Sequence, residues 1–291
     1  MSYKIFTPLR YPGGKGKIIN FVKELVRDNF PGQTDIPYIE PYAGGAAIAL
    51  ALLIEGYVSK IYINDYDIAI YSFWEYCIKR HHIKFINKIR KTEINMAEWE
   101  KQRAIYANPK TKEGFDLGFA AFFLNRCNYS GIIKGGPIGG YAQKGAYSLD
   151  CRFNKETLIK RVLDIARYKD KIFIFNEDTK LFLQRKDLQD VFKKGLIYLD
   201  PPYYKKGDQL YKNFYTHNDH IEIAKLMHNL HTRWIISYDN QPEIKELYKK
   251  FFKKEFNLIY YAGLNSNKRY QNGKEVIFFS KKIKNIPETV I

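Results

Sequence analysis

The chain has 291 residues, enough to bury a sizeable core as one large domain or as a core with a smaller inserted domain. Its 48 Lys and Arg residues outnumber its 31 Asp and Glu residues and give a formal charge of +17, which favours a polyanionic partner such as DNA, RNA or an anionic membrane. No stretch is apolar enough to span a membrane and the N-terminus lacks a signal-peptide pattern, so we expect a soluble, intracellular protein.

Strand-like runs, rich in β-branched and aromatic residues, alternate with helical patterns along the chain. The strand-like runs are residues 36–40, 60–65, 171–178, 195–200 and 233–239, and the helical patterns are residues 17–30, 46–56, 218–230 and 242–252. This alternation predicts an α/β fold with a parallel sheet covered on both faces. Two last runs, residues 255–261 and 274–280, flank the polar loop 265–273 and predict an antiparallel hairpin at the sheet edge.

Residues 72–168 break this rhythm, because they are rich in helix formers and basic residues and then in glycine. The gap between Asp65 and the strand near residue 171 is too long for one crossover connection. We therefore predict an inserted, mostly helical domain at residues 72–168, within a core formed by residues 1–71 and 169–291. Basic side chains recur along one predicted helix of this insertion, either as a solvated face or as phosphate contacts: Lys79, Arg80, Lys84, Lys88, Arg90 and Lys91.

The three cysteines, Cys77, Cys127 and Cys151, have spacings that suit neither a zinc knuckle nor a redox pair. The six histidines form no arrangement with carboxylates that would define a metal site. We therefore expect reduced, structural cysteines and no metal centre.

The first candidate binding segment, residues 38–45, is a strand that ends in an acid and passes through Gly44 and Gly45 into a helix. Glycine lets a ligand approach the backbone closely, and the helix N-terminus offers unpaired N–H groups. The dinucleotide-binding fingerprint is absent, because the glycine spacing differs. The segment predicts either a ligand-binding turn or a structural strand-to-helix turn.

A second strand-like run ends on Asp65, about twenty residues beyond the glycines, where nucleoside-binding α/β folds carry an acid that binds ribose hydroxyls. Asp65 fits that role. The alternative is a helix N-cap, and Asp67 suits either purpose.

The strongest motif is Asp200-Pro201-Pro202-Tyr203, which follows an apolar strand. The strand would deliver it to the carboxyl edge of the sheet, where ligands of open α/β folds bind. The prolines remove two N–H donors and leave mainly acceptors, which suit an exocyclic amine such as adenine N6. Tyr203 offers an aromatic face for an extruded base. As a purely structural turn, the motif would leave its carboxylate without a purpose.

Together these segments resemble the Dam-like DNA adenine methyltransferases of the D12 class, over nearly the whole chain and most closely the branch found in phages and restriction-modification systems. The resemblance implies a Rossmann-like, S-adenosylmethionine-dependent methyltransferase sheet, mostly parallel with a C-terminal antiparallel hairpin, and an inserted target-recognition domain. The implied reaction methylates N6 of a flipped-out adenine in double-stranded DNA. The resemblance further implies a cytoplasmic location, at a bacterial nucleoid or in a phage-infected cell, and a cognate restriction endonuclease as a possible partner.

The resemblance also assigns residues. The N-terminal motif, residues 10–15, contributes an aromatic and a lysine to the cofactor pocket, the glycine motif surrounds the methionine moiety, Asp65 binds the ribose and Asp178 lies near the cofactor adenine. The implied cofactor-binding residues are Tyr11, Lys15, Glu40, Pro41, Tyr42, Ala43, Gly44, Gly45, Asp65 and Asp178, and the implied catalytic residues are Asp200, Pro201, Pro202 and Tyr203.

Residues 123–131 resemble the family segment that leads into DNA contacts. Tyr129 and Ser130 stand where a Tyr-Asn pair wedges into the duplex in GATC-specific members, and Lys134 stands in place of their guanine-reading arginine, which argues against a GATC target. The implied DNA-binding residues are Arg126, Tyr129, Ser130 and Lys134.

Other functions remain open from the sequence. Asp200 disfavours methylation of cytosine N4, because cytosine enzymes usually carry Ser at this position, and of a protein glutamine, because glutamine enzymes usually carry Asn. Adenine in RNA is not excluded as a substrate. A non-catalytic nucleic-acid-binding relic is disfavoured because Tyr11, Lys15, Asp65 and Asp200 are all present. Neither the recognition site nor the oligomeric state follows from the sequence.

Overall fold

The computed structural model describes residues 5–10, 15–108, 113–205, 215–260 and 271–290. Its strands are β1 Pro37–Glu40, β2 Lys60–Asn64, β3 Ile172–Phe175, β4 Leu196–Leu199, β5 Arg233–Asp239, β6 Phe252–Tyr260 and β7 Gln271–Phe279. They form one seven-stranded sheet in the order β3-β2-β1-β4-β5-β7-β6. Strands β1 to β5 are parallel, whereas β7 is antiparallel to both β5 and β6. The predicted α/β fold, with a C-terminal antiparallel hairpin at the sheet edge, is confirmed.

The α-helices of the described chain lie before, between and after these strands. They are α1 Ile19–Asn29, α2 Ala47–Ile54, α3 Ile68–Ser72, α4 His82–Lys91, α5 Met96–Ala107, α6 Phe115–Cys127, α7 Lys155–Ala166, α8 Thr179–Leu183, α9 Gln189–Lys194, α10 His217–Asn229 and α11 Pro242–Leu247. A π-helical stretch, Phe73–Arg80, joins α3 to α4. None of these helices is both long and apolar enough to cross a bilayer.

The strands bury both faces, because successive side chains point to opposite sides of the sheet. On one face Tyr38, Tyr198 and Ile277 pack with α1 and α2. On the other face Ile39 and Ile197 pack with α8 to α11. Burial on both sides explains why the parallel strands read as nearly continuous apolar runs.

Three predicted boundaries near the C-terminus were wrong. The helix predicted at residues 242–252 ends at Leu247, and β6 begins at Phe252 rather than at residue 255. The chain turns where Phe251 packs its ring against Trp234 with a centroid distance of 4.8 Å, and Phe252 then pairs with Phe279. Strand β7 begins at Gln271, inside the predicted loop 265–273. Hairpin pairing across β6 and β7 thus extends the strands further than their apolar residues indicate.

The described chain between β2 and β3 is mostly helical, and its longest non-helical stretch is the loop after α6. Most of its buried apolar residues, including Phe73, Phe122 and Phe153, belong to the same apolar cluster as α1 and α2. Gly118 allows close packing, since a Cβ there would lie 2.6 Å from the Ser72 carbonyl oxygen. The helices of this region therefore pack directly on one face of the sheet layer.

Candidate active site

Acidic residues lie at the carboxyl ends of β1, β2 and β4. Glu40 ends β1, Asp65 follows β2 and Asp200 follows β4. Because the three strands are parallel, these residues share one edge of the sheet. From β1 the chain continues to β2, which lies on one side of it in the sheet. From β4 the chain continues to β5, which lies on the opposite side. The strand order therefore reverses between β1 and β4, which is where open α/β sheets bind ligands.

The glycine turn after β1 is anchored to the tip of β2. The Ala43 N–H donates to the Asn64 carbonyl at 2.9 Å, and the Asn64 side-chain amide donates to the Pro41 carbonyl at 3.1 Å. Gly44 has a φ of 45°, in the left-handed region that glycine favours. The turn then enters α2 through Gly45 and Ala46. It is held in one shape, with its backbone at the point where the strand order reverses.

Asp65 binds backbone amides rather than capping the next helix. Its Oδ2 accepts from the Gly44 N–H at 2.8 Å, and its Oδ1 accepts from the Asp67 N–H at 2.9 Å. Asp67 is the N-cap of α3, and its side chain accepts from the Ala69 N–H. The two roles left open by the sequence are therefore divided, because the cap is Asp67. Burial, reinforced by the charge of Asp67, raises the pKa of Asp65 to about 7.

Glu40 places a buried carboxyl between the glycine turn and β4. It is 5 % exposed, and its Oε2 accepts from the Ala49 N–H of α2 at 3.2 Å. Burial and then the nearby Asp200 charge raise its pKa well above the ordinary value. Glu40 and Asp200 are thus electrostatically coupled across the β1–β4 edge.

Lys15 lies between two carboxylates. Its Nζ is 3.3 Å from Oδ1 of Asp200 and makes a short ion pair with Glu275 of β7. Burial would lower the pKa of Lys15, but the charges of Asp200 and Glu275 outweigh it and raise the pKa well above its ordinary value. The ammonium is therefore held in its charged form beside the motif of residues 200–203.

Asp200 remains accessible, because its side chain is 24 % exposed. Its Oδ1 accepts a hydrogen bond from the Ser237 hydroxyl at 2.7 Å, and Ser237 is itself bonded to the Tyr198 hydroxyl. The carboxylate is thus held at the sheet edge by β4 and β5 together.

The rest of the motif is more enclosed. Pro201 and Pro202 are buried, and Tyr203 is 7 % exposed. The Tyr203 hydroxyl donates to Oε1 of Glu275 at 2.8 Å, and Lys15 Nζ lies 5.3 Å from the ring centroid. Tyr203 therefore does not present an open aromatic face in this structure, and a base could stack on it only after the ring is uncovered.

Several residues of this network were not singled out from the sequence. Glu275 bonds both Lys15 and Tyr203, and Ser237 bonds Asp200. Asp239, at the end of β5, accepts from the backbone N–H groups of Tyr204 and Lys205 and so anchors the chain after the motif. Two sequence signals could have pointed to this network. Glu275 is an acid inside an apolar strand, and Asp239 is an acid at the end of a strand.

The remaining predicted cofactor residues are dispersed around the same edge. Asp178 follows β3 and caps α8, accepting from the Lys180 N–H at 2.9 Å. The Tyr42 hydroxyl is 2.9 Å from that of Tyr215. Tyr11 lies outside the described residues. Where the chain is described, no group of His, Cys, Asp and Glu side chains could hold a metal ion.

The predicted DNA-binding residues lie after α6 or at its end. Arg126 donates to the backbone carbonyl of Arg152. Tyr129 is 39 % exposed, and its hydroxyl accepts a hydrogen bond from the Gly139 N–H. Ser130 has a φ of 55°, in the left-handed region, and Lys134 is exposed.

Two contacts join this region to the strand tips. The Trp74 indole N–H donates to the Gly44 carbonyl at 2.9 Å, and the Arg10 N–H donates to the Asn125 side chain at 2.7 Å. The region between β2 and β3 therefore contacts both the glycine turn and the segment that leads to Lys15.

Comparison with known proteins gives one family for nearly the whole chain. Residues 11–285 match the family described as D12 class N6 adenine-specific DNA methyltransferase. A relative, the type II methyltransferase M.MjaIII of Methanocaldococcus jannaschii, is 23% identical over 244 residues, which are 77% of this chain and 80% of that protein.

Solved structures give more distant likenesses. A SAM-dependent methyltransferase from Agrobacterium tumefaciens has a TM-score of 0.41 at 10% identity, over 91% of this chain and 62% of that one. The rRNA methyltransferase aviRa from Streptomyces viridochromogenes has a TM-score of 0.40 at 9% identity, over 97% of this chain and 88% of that one.

Proposed function

The chain belongs to the D12 class of N6 adenine-specific DNA methyltransferases, and from this membership we propose that it transfers a methyl group from S-adenosylmethionine to N6 of an adenine flipped out of double-stranded DNA. The corresponding activity is that of a site-specific DNA (adenine-N6)-methyltransferase. The observation that carries the proposal is the accessible carboxylate of Asp200, fixed where the strand order reverses.

The residues at this edge fit the family's methyl donor. S-adenosylmethionine supplies an electrophilic methyl group on a sulfonium, next to an α-amino group and a ribose diol. Glu40, Asp65 and Asp200 offer carboxyl groups that would bind such cationic and hydroxyl groups, and the Gly44–Gly45 turn carries no side chain that would block a ligand. We assign the cofactor to Tyr11, Lys15, Asp178 and residues 40–45, with Asp65 on the ribose.

In the proposed reaction Asp200 accepts a hydrogen bond from the target amine. The N6 lone pair of adenine is delocalised into the ring, and hydrogen bonds to Asp200 and to the Pro201 carbonyl would localise it on nitrogen. Pro201 and Pro202 lack N–H groups, so the turn presents acceptors rather than donors. Ser237 and Lys15 together hold the carboxylate in place.

Base flipping requires a place for the extruded ring, and we assign that place to Tyr203. Because the ring is nearly buried between Lys15 and Glu275, the proposal requires a local rearrangement when DNA binds. Pro202 and the anchoring of residues 204 and 205 by Asp239 would confine the change to side chains.

We further propose that residues 72–168 form the target-recognition domain within a core of residues 1–71 and 169–291. Arg126, Tyr129, Ser130 and Lys134 would then contact the duplex. Tyr129 and Lys134 are exposed, which such contacts require. This function would place the protein with DNA, at a bacterial nucleoid or in a phage-infected cell, and a cognate restriction endonuclease would be its natural companion.

The experiment that tests the proposal compares nucleic acids as methyl acceptors. The purified protein is incubated with S-adenosylmethionine and unmethylated double-stranded DNA, single-stranded DNA or RNA, and the nucleosides are then analysed by mass spectrometry. N6-methyladenine in double-stranded DNA supports the proposal, and long-read sequencing of the same DNA gives the recognition site. N4-methylcytosine, or N6-methyladenine in RNA alone, would contradict the proposed substrate and identify another one. The absence of any methylated product would favour a non-catalytic protein.

A further inference from the structure

Four arginines gather where the N-terminal segment meets the end of α6, the middle of α7 and the loop between these helices. Each guanidinium with an identified hydrogen bond donates to a backbone carbonyl: Arg10 to Asn128, Arg126 to Arg152 and Arg161 to Thr7. Arg152 is exposed beside them. We call these four residues, Arg10, Arg126, Arg152 and Arg161, the arginine cluster.

The arginine cluster has no carboxylate partner within the described parts of the chain, because no ion pair there involves any of its members. The Nε of Arg126 is buried and finds no hydrogen-bond partner among the described residues. Burial, followed by the charges of Arg10, Arg161 and Arg152, lowers the pKa of Arg126 to about 9. Like charges are thus held together at a cost in stability, and an anion would offset it.

The basic face of α4 and the preceding π-helix makes a useful contrast. Arg80 pairs with Glu75, and Lys88 pairs with Asp116. Lys84 Nζ lies 4.2 Å from the Phe115 ring centroid. Each of these three cations has a partner within the protein, so the structure favours intramolecular roles for Arg80, Lys84 and Lys88, for which the sequence left both solvation and phosphate contact open. The arginine cluster is the better candidate for an external anion.

The position of the arginine cluster relates it to the proposed active site. Arg10 precedes Lys15 by five residues, so their Cα atoms lie at most about 18 Å apart. Lys15 in turn contacts Asp200. Arg126 is three residues before Tyr129, which we assign to the duplex. An anion at the arginine cluster would therefore lie within a few nucleotides of the reacting base.

We propose that the arginine cluster binds a backbone phosphate of the substrate DNA close to the flipped adenine, an inference that rests on the proposed function. Guanidinium groups donate paired hydrogen bonds that match phosphate oxygens, and such contacts position a duplex without reading its sequence. The phosphate would relieve the repulsion between the arginines and fix the duplex relative to Asp200.

The test is the salt dependence of DNA binding by the full-length protein. Arg152→Gln is the first variant, because Arg152 is exposed and we expect its replacement to leave the fold intact, and Arg10→Gln is the second. Lys225→Gln, an equal charge change at an exposed position of α10, is the matched control. Dissociation constants for one duplex are measured at several salt concentrations, together with cofactor binding as a check on folding.

We expect Arg152→Gln to weaken binding by about tenfold on target and non-target duplexes alike, and to reduce the slope of log K against log salt by about 1. Arg152→Lys should retain most of the slope, and Lys225→Gln should behave as the unaltered protein. If the unaltered protein methylates DNA but neither arginine variant changes the slope, the arginine cluster is not a phosphate site although the function stands. If the unaltered protein neither binds nor methylates DNA, both proposals fall.

Discussion

The ammonium nitrogen of Lys15 lies 3.3 Å from Oδ1 of Asp200, and Glu275 holds the same nitrogen from β7. Lys15 can therefore move between two carboxylates without leaving an ion pair. We interpret this as a way to keep the Asp200 carboxylate in place until a target amine competes for its oxygens. Glu275 retains the lysine when Asp200 turns to the amine.

Replacing Glu275 by Gln should slow methyl transfer more than it weakens cofactor binding. The change leaves Asp200 as the carboxylate that pairs with Lys15, so Lys15 competes more strongly with the amine, and about 1.4 kcal/mol of added competition corresponds to a tenfold slower step. Single-turnover rates and calorimetry with S-adenosylmethionine provide the measurement. Glu255→Gln is the control, because Glu255 is an exposed acid paired with Lys245. Equal losses in rate and cofactor affinity would make Glu275 a residue of the cofactor pocket instead.

Asp65 predicts a pH dependence of cofactor binding. Its pKa is raised to about 7, so it is protonated below that pH and becomes a better acceptor for ribose hydroxyls above it. The affinity for S-adenosylmethionine should therefore increase as pH rises from about 6 to about 8, the interval over which a carboxyl with this pKa loses most of its proton. Asp65→Asn should bind more weakly and lose this component. Asp67→Asn should keep the component but shift it to lower pH, because the charge of Asp67 contributes to the raised pKa of Asp65.

The cofactor's own amino group titrates near the same pH, so the measured quantity is the difference between the unaltered protein and Asp65→Asn in calorimetry. Folding stability should move in the opposite direction. Because the folded-state pKa of Asp65 exceeds its unfolded value, this carboxyl makes the fold less stable as pH rises from about 4 to about 7. Identical pH profiles of cofactor affinity for the unaltered protein and for Asp65→Asn would contradict the assignment of Asp65 as the ribose ligand.

Two substitutions of Tyr203 separate its ring from its hydroxyl. Tyr203→Phe loses the bond to Glu275, at a cost of about 1 kcal/mol, but keeps a surface for the base. Tyr203→Ala also removes that surface, and stacking of a base contributes about 1–3 kcal/mol. The alanine variant should therefore lose far more methylation efficiency, kcat/KM for DNA, than the phenylalanine variant. Equal losses would assign Tyr203 to the network with Glu275 rather than to the base.

Gly118→Ala should destabilise the contact between α6 and α3. The new Cβ would lie 2.6 Å from the Ser72 carbonyl oxygen, which is backbone and cannot rotate away. We expect a loss of about 1–3 kcal/mol in the free energy of unfolding, measured by urea denaturation. Gly136→Ala is the control, since its nearest neighbour would be a Tyr141 ring carbon at 3.9 Å. An unchanged midpoint for Gly118→Ala would show that the α3–α6 packing can relax.

The strands and the acids at their tips could be predicted from the sequence, because an apolar run that ends in a carboxylate is a local pattern. The division of labour between Asp65 and Asp67 could not be, since it depends on which carboxylate meets the N–H groups of the next helix. Glu275 was also missed. It joins the site through the antiparallel register that pairs it with Asp239, and no local pattern encodes that register.

The most direct test of the account is Asp200→Ala, assayed for single-turnover methyl transfer to DNA and for S-adenosylmethionine binding by calorimetry. Lys15 keeps its ion pair with Glu275, so the variant should fold and bind the cofactor with an affinity within a few-fold of the unaltered protein. The rate should fall by at least about a hundredfold, because the target amine loses its acceptor. A cofactor affinity that falls by the same factor as the rate would contradict the role of Asp200 as the acceptor of the target amine.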